Sequence, residues 1–301
     1  VTQAPPSAAR ALELRRGAEA EASALPALLV AAEHLAATVQ MGGHGRRRAG
    51  AGEEFWQYRP VHSGDDARFI DWRRSARSDT QYLREREWQL AQSVHLWVDD
   101  AASMRFAGSA TNAARASKGE RARLLALALA VLMIRGGERV GLMGPLAPPR
   151  PGRAQLMTLA AHLSSLPEAG DYGAPEVGAV QSGARAVFLS DFFGAPEAIE
   201  AALARLSDRG VTGVMLQVLD PEEEEFPFQG RTIFESMSGA LTHETRKAAD
   251  LRARYLERLA ERRERLSRMA RAAGWQFSTH HTGSPAQGAL LWLNAALGRL
   301  V

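Results

Sequence analysis

Two aspartates and a serine carry the most definite chemical signal in this chain. Asp99 opens the run Asp99-Asp100-Ala101-Ala102-Ser103-Met104 directly after the apolar stretch Val94-His95-Leu96-Trp97-Val98. Asp191 closes Phe188-Leu189-Ser190-Asp191. Both stretches have the composition of buried strands, so each aspartate stands where a strand ends. In an open parallel sheet, ligands bind beyond the carboxyl ends of the strands, where the strand order reverses. Asp191 also has a plain structural reading, as a turn former or as the N-cap of a helix predicted over 196–208.

A second chemical cluster lies upstream, in Gly64-Asp65-Asp66-Ala67-Arg68-Phe69-Ile70-Asp71-Trp72 and Ser75-Ala76-Arg77. Asp65, Asp66 and Asp71 stand close in sequence to Arg68, Arg73, Arg74 and Arg77. That spacing suits a bidentate ion-pair network, with Trp72 packed under the arginines or against a sheet. One reading is a charge-paired loop that locks the N-terminal segment onto the rest of the chain. The other is a partner-docking surface, built from the residue types that dominate interfaces.

These residues need a scaffold, and the sequence supplies one. From residue 93 onwards strands and helices alternate. Strands are predicted over 94–98, 139–143, 184–189, 213–219 and 275–278, and helices over 115–135, 153–165, 196–208, 243–273 and 285–299. Such alternation implies a mostly parallel sheet covered on both faces. Prolines 145, 148, 149 and 151 mark a connection or an edge hairpin. Upstream, 11–40 reads as helix broken at Pro26, the glycine-dense stretch 41–52 reads as a flexible loop, and 54–59 and 81–85 read as strands.

Composition narrows the function classes. The 301 residues are 46% hydrophobic and 24% charged, enough to bury a full core and unlike a disordered chain. There is no cysteine, which excludes a disulfide scaffold, a thiol enzyme and an iron–sulfur site. With 37 basic against 34 acidic residues, the net charge of +3 gives little support to nucleic-acid binding. The apolar runs Ala24–Ala32 and Leu124–Ile134 are short of the roughly 20 residues a bilayer span needs. The chain therefore reads as soluble and cytoplasmic, with no membrane partner.

The Asp99–Met104 run resembles the D-x-S-x-S loop of von Willebrand factor A-type domains. The resemblance implies a divalent-ion site, Mg²⁺ or Mn²⁺, with Asp99, Ser103 and Asp191 as ligands. Ala101 stands where the middle serine of that loop belongs, which removes one oxygen. Glu54-Phe55, Arg59, the Gly64–Trp72 run, Ser75-Ala76-Arg77 and the Asp99 loop together resemble the domain of unknown function 58 family, over roughly residues 40–299. Glu225 to Gly230, Gly274-Trp275 and His281-Thr282 add to the likeness. That family is von Willebrand A-like and associated with MoxR-type AAA+ ATPases, and no catalytic activity is established for it.

The expectation is an α/β protein with a three-layer von Willebrand factor A-like, Rossmann-like, mostly parallel sheet over residues 89–301. An N-terminal helix-plus-strand segment, residues 1–88, carries the Gly64–Arg77 motif (Gly64, Asp65, Asp66, Arg68, Asp71, Trp72 and Arg77) and packs on it. The expected function is a non-enzymatic, protein-binding adaptor that works with a MoxR-type ATPase. Two alternatives are a metal-dependent phosphoester hydrolase using Asp65, Asp66, Asp99 and Asp191, and nucleic-acid binding through Arg46-Arg47-Arg48. His280-His281 cannot easily share one ion, because adjacent strand residues point to opposite faces. His44 lies in a glycine loop that lacks the lysine of a P-loop. Glu222–Glu225 reads as a solvated loop, and 243–273 as an exposed, charge-paired helix.

Overall fold

The computed structural model describes residues 27–39, 46–50, 54–61, 70–76, 80–90, 92–108, 115–144, 147–165, 170–178, 180–237, 239 and 242–299. Its centre is a five-stranded parallel sheet made of β4 (Ser93–Val98), β5 (Arg139–Leu142), β6 (Arg185–Ser190), β7 (Thr212–Leu219) and β10 (Gln276–His281). The spatial order is β10-β7-β6-β4-β5. The chain steps outward from β4 to β5, then returns to the other side of β4 to lay down β6. The reversal of strand order therefore falls between β4 and β6, whose carboxyl ends carry Asp99 and Asp191.

The alternation of side chains along each strand feeds two separate cores. Val187 and Leu189 of β6, Leu96 of β4 and Leu216 of β7 face one side. There they meet α1 (Ala27–Ala37), α3 (Lys118–Arg135), α4 (Arg153–Ser164) and α8 (Ala286–Gly298). Ala186 and Phe188 of β6 and Met215 of β7 face the other side, against α5 (Pro196–Ser207), α7 (Ala248–Ala272) and Trp275. The result is the three-layer α/β architecture expected from the sequence, with every residue of β6 buried. Leu29, Ala32 and Ala36 of α1 are sealed within the first core.

The helix α3 is central because it is apolar nearly all round, from Leu125 to Met133. Its start is fixed by a capping box: the Ser117 hydroxyl accepts from the Glu120 amide and the Glu120 carboxylate accepts from the Ser117 amide. After β5 the proline-rich segment turns back and bridges antiparallel to it at Val140 and Arg150, an edge hairpin in vestigial form.

The upstream segment forms an antiparallel sheet of order β1-β3-β2, from β1 (Arg46–Gly50), β2 (Glu54–Pro60) and β3 (Tyr82–Leu90). Two further departures accompany it. Arg46–Gly50 belongs to the stretch expected to be flexible loop, yet it pairs along β3 as an edge strand. His243–Thr245, the start of the helix expected over 243–273, instead belongs to β9 (Thr242–Thr245), hairpinned onto β8 (Thr232–Glu235). Among the described residues no helix is long and apolar enough to cross a membrane.

Candidate functional site

The carboxyl ends of β4 and β6 meet as the sequence predicts. The Asp99 amide donates to the Leu189 carbonyl at 3.0 Å, which ties the two strand ends together. The Asp99 carboxylate is buried and already engaged. Its Oδ1 accepts from the Ala101 amide at 2.9 Å and its Oδ2 from the Ser190 hydroxyl. Ala102 and Ser103, in a single 3₁₀ turn over Ala102–Arg105, donate their amides to the carbonyls of Gly170 and Asp171. That strap brings Gly173 against Asp99 so closely that a Cβ there would overlap the carboxylate. Burial pushes the Asp99 carboxyl up to about 6, its two hydrogen bonds oppose the rise, and the neighbouring Asp191 charge adds to it.

Asp191 is not the N-cap of α5, where Ala195 holds that position. Its Oδ1 accepts from the Phe193 amide at 2.9 Å, and its Oδ2 accepts from Lys118 Nζ at 2.8 Å. Lys118 is the first residue of α3, and its ammonium also donates to Glu223 Oε1 at 2.6 Å. Only 1% of the Lys118 side chain is exposed. Burial alone would lower its pKa. The charges of Asp191 and Glu223 outweigh that and hold the ammonium above the usual lysine range. Phe193 and Phe106 present ring faces to the same cation, with centroids 5.0 and 5.8 Å away.

Glu223 arrives on a one-turn helix, α6 (Pro221–Glu225), in place of the solvated loop expected from its four glutamates. Asp220 caps this turn and Pro221 starts it, a favourable N-terminus for acidic side chains. Glu223 Oε2 accepts from the Asp220 amide while Oε1 faces Lys118. Asp220 in turn accepts from Arg115 at 2.9 Å and from the Thr282 hydroxyl at 3.0 Å. Burial raises the Glu223 carboxyl, opposed mainly by Lys118.

Two phenylalanines in left-handed backbone place these carboxylates. Phe192 (φ 53°) follows Asp191 directly, and Phe226 (φ 47°) ends α6. Non-glycine residues rarely adopt that region, and each here is anchored by its ring. Phe192 packs 6.2 Å from Trp97, and Phe226 packs 5.6 Å from Phe234 and 4.8 Å from Tyr255.

Above Lys118 the surface opens into a cleft of about 260 Å³, lined among others by Ser103, Tyr172, Glu223, Glu235, Met237 and Tyr255. Ser103 is 8% exposed, and its hydroxyl has no hydrogen-bond partner among the described residues. Tyr172 and Met237 are 49% and 39% exposed at the rim, and Ile233 on β8 is 59% exposed. Burial also pushes the Tyr255 hydroxyl well above the usual tyrosine range, so it remains protonated.

Asp99, Ser103 and Asp191 therefore lie at one end of the sheet as predicted. Lys118 and Glu223 escape a reading of the strand ends, although a signal existed for one of them, whereas Asp220 directly follows the strand β7. Of 37 basic residues only Lys118 and Lys247 are lysines, and Lys118 starts the helix that holds the unbroken apolar run Leu124–Ile134. Among the described residues no group of three or more histidines, aspartates or glutamates is arranged to hold a metal ion.

The upstream motif is described in part, since Gly64, Asp65, Asp66, Arg68 and Arg77 lie outside the described residues. Asp71 caps the short helix α2 (Trp72–Ser75): its Oδ1 accepts from the Arg74 amide and its Oδ2 from the Tyr58 hydroxyl, each at 3.0 Å. Trp72 is 60% exposed rather than packed under arginines or against a sheet. The stacked partner is Arg74, which lies 4.4 Å over the Tyr58 ring and 5.1 Å over Tyr82. His280 and His281 likewise have separate partners, Arg121 for His280 and Ser284 for His281.

Residues 57–265 match the family described as "protein of unknown function DUF58". Uncharacterised proteins of Mycobacterium bovis and Mycobacterium tuberculosis are 27% identical over 240 residues, which is 75% of this chain and 73% of theirs. Among solved structures, an aerotolerance-related membrane protein of Bacteroides fragilis aligns with 16% identity and a TM-score of 0.39. The alignment covers 69% of this chain and all of that one. The protein BatB of Bacteroides thetaiotaomicron aligns with 15% identity, the same TM-score and the same coverage.

Proposed function

The chain belongs to the family of proteins of unknown function DUF58, and from that premise we propose that it is a non-enzymatic adaptor. It docks a protein partner at the carboxyl end of its parallel sheet and works in the cytoplasm with a MoxR-type AAA+ ATPase. One observation carries this reading: the polar groups at the strand ends are paired with one another beneath an open cleft with an exposed apolar rim. Lys118 is shared by Asp191 and Glu223, while Tyr172 and Met237 stand exposed at the edge.

The chemistry of these groups favours recognition over catalysis. A general acid or base works best with a pKa near the operating pH. Lys118 is held above the ordinary lysine range, so it stays a fixed cation. Asp99 has a suitable pKa of about 6, but it is walled off behind Gly173 and engaged by Ser190 and Ala101.

The resident cation in this reading is Lys118 rather than Mg²⁺ or Mn²⁺. Divalent ions of this kind demand several oxygen ligands in near-ideal geometry. Both Asp99 oxygens and both Asp191 oxygens already accept hydrogen bonds, and Ala101 offers a methyl group. An ammonium needs only the two carboxylates it has.

The test is direct binding of a purified MoxR-type ATPase to the immobilised chain. The expected result is saturable binding that persists in a chelator and is lost when Tyr172 and Met237 are both replaced by alanine. Absence of binding, or equal binding by that variant, would overturn the adaptor reading.

A further inference from the structure

We propose that the cleft above Lys118 receives one basic side chain, an arginine or a lysine, from the docked protein. This names the chemistry recognised at the site and rests on the docking reading above. Two carboxylates, Glu223 and Glu235, line the cleft against one ammonium among the described residues, Lys118. That ammonium is already shared between Glu223 and Asp191. The lining thus presents an excess of negative charge and of acceptor oxygens.

A second, independent observation is the Ser103 hydroxyl. It lines the cleft, it is more than nine-tenths buried, and none of the described residues bonds to it. A buried polar atom left in that state is destabilising, and a ligand's donor would relieve it. Arginine and lysine side chains bring donors only, with no acceptor. They match a wall of carboxylates and one open hydroxyl oxygen.

The remaining surfaces suit the rest of such a side chain. Tyr172, Tyr255 and Phe193 offer aromatic rings, and Phe193 already faces one cation, that of Lys118. The exposed Met237 and Tyr172 can cover an aliphatic stem. Ile233 and Glu235 alternate onto one face of β8, which puts an apolar contact beside a rim charge. The nearby cations Arg105 and Arg262 donate to backbone carbonyls, those of Met237 and of Phe193 and Gly194. A carboxylate would instead meet the like charges of Glu223 and Glu235 and would have to displace Glu223 from Lys118.

The experiment uses the full chain and short peptides blocked at both ends, with arginine, citrulline or glutamate between glycines. Backbone amide shifts are followed by NMR. The arginine peptide is expected to shift the amides of Ser103, Tyr172, Ser236 and Met237 saturably. Citrulline, which keeps the shape and loses the charge, should bind about tenfold more weakly. Glu235→Gln, at an exposed position, should weaken arginine binding severalfold. Ser103→Ala should do the same with the fold intact. Preferential binding of the glutamate peptide, or no shift from any peptide at about 10 mM, would overturn the proposal. If the arginine peptide fails while the ATPase still binds in a Tyr172- and Met237-dependent way, docking stands and the basic side chain falls. If the arginine peptide saturates the cleft and the ATPase does not bind, the basic-side-chain site stands and the adaptor reading falls.

Discussion

Lys118 Nζ donates to Asp191 Oδ2 at 2.8 Å, and each side chain keeps only 1% of its surface in solvent. A cation at the first position of a helix faces the positive end of the helix dipole, and burial strips its hydration as well. Asp191 and Glu223 must offset both. Breaking such a pair leaves an uncompensated buried charge, so Lys118→Met or Asp191→Asn should each destabilise by about 3–5 kcal/mol. Their combination should cost clearly less than the sum. A urea double-mutant cycle measures this, and strict additivity would show that the two groups do not interact.

Asp99 gives the fold a definite pH dependence. Its carboxyl ionises near 6 in the folded chain against 3.8 unfolded, so the folded state binds the proton more tightly. Stability from this group is therefore full at low pH and is lost as pH rises from about 4 to 6. The loss is of order 3 kcal/mol. Asp99→Asn should flatten that part of the stability–pH curve relative to native protein. Parallel curves for the two proteins between pH 4 and 7 would rule this out.

His280 acts in the opposite direction. Burial first, then the charges of Arg121 and His281, lower it to about 4. The folded state prefers the neutral ring, so its contribution is full above the unfolded value of 6.5 and falls as pH drops towards 4. His280→Gln should remove a loss of about 3 kcal/mol at the acid end and leave pH 8 stability little changed. Chemical denaturation at pH 4.5 and pH 8 separates the two cases.

Divalent metal should leave the native chain's thermal midpoint where it is. A ligand at about 100 times its dissociation constant stabilises by about 2.7 kcal/mol, which a melting curve resolves easily. A rise with Mg²⁺ or Mn²⁺ that disappears in Asp99→Ala would restore the ion to the site and displace Lys118 as its resident cation.

Gly173→Ala is a stringent test of the strap over Asp99. Its Cβ would overlap the Asp99 carboxylate, forcing the 170–173 segment and its bonds to Ala102 and Ser103 to shift. The expected cost is about 1–3 kcal/mol, with amide shifts spreading from Gly173 to Ser103. A neutral substitution with no such shifts would mean that the strap is loosely held.

The parallel sheet was legible because its strands are apolar, short and spaced by helices. Asp99 and Asp191 were legible because each stands immediately after such a strand. What holds Asp191 was not, since Lys118 lies 73 residues away and Glu223 is largely, though not fully, covered in what composition alone marks as an acidic loop. Burial of Glu223 comes from a single helical turn set by Asp220 and Pro221. The strand β9 is hidden in the sequence for a related reason. Its polar residues suit the start of a charged helix equally well, and only pairing with β8 decides between them. The arginines around Trp72 imply a ring packed under them or against a sheet, whereas Trp72 is exposed and Arg74 takes the stacking position on Tyr58.

Phe192 and Phe226 give the polar centre an unexpected dependence. Glycine would adopt either backbone conformation without strain, but it would leave no ring to seat. Each of the two acceptors around the ammonium is therefore indexed to an apolar contact, one at Trp97 and one at Phe234. Shrinking either of those uncharged rings would let the adjoining backbone relax and carry a carboxylate with it. The electrostatics of the cleft are in that sense calibrated by hydrocarbon, and they can be retuned without altering a single charged residue.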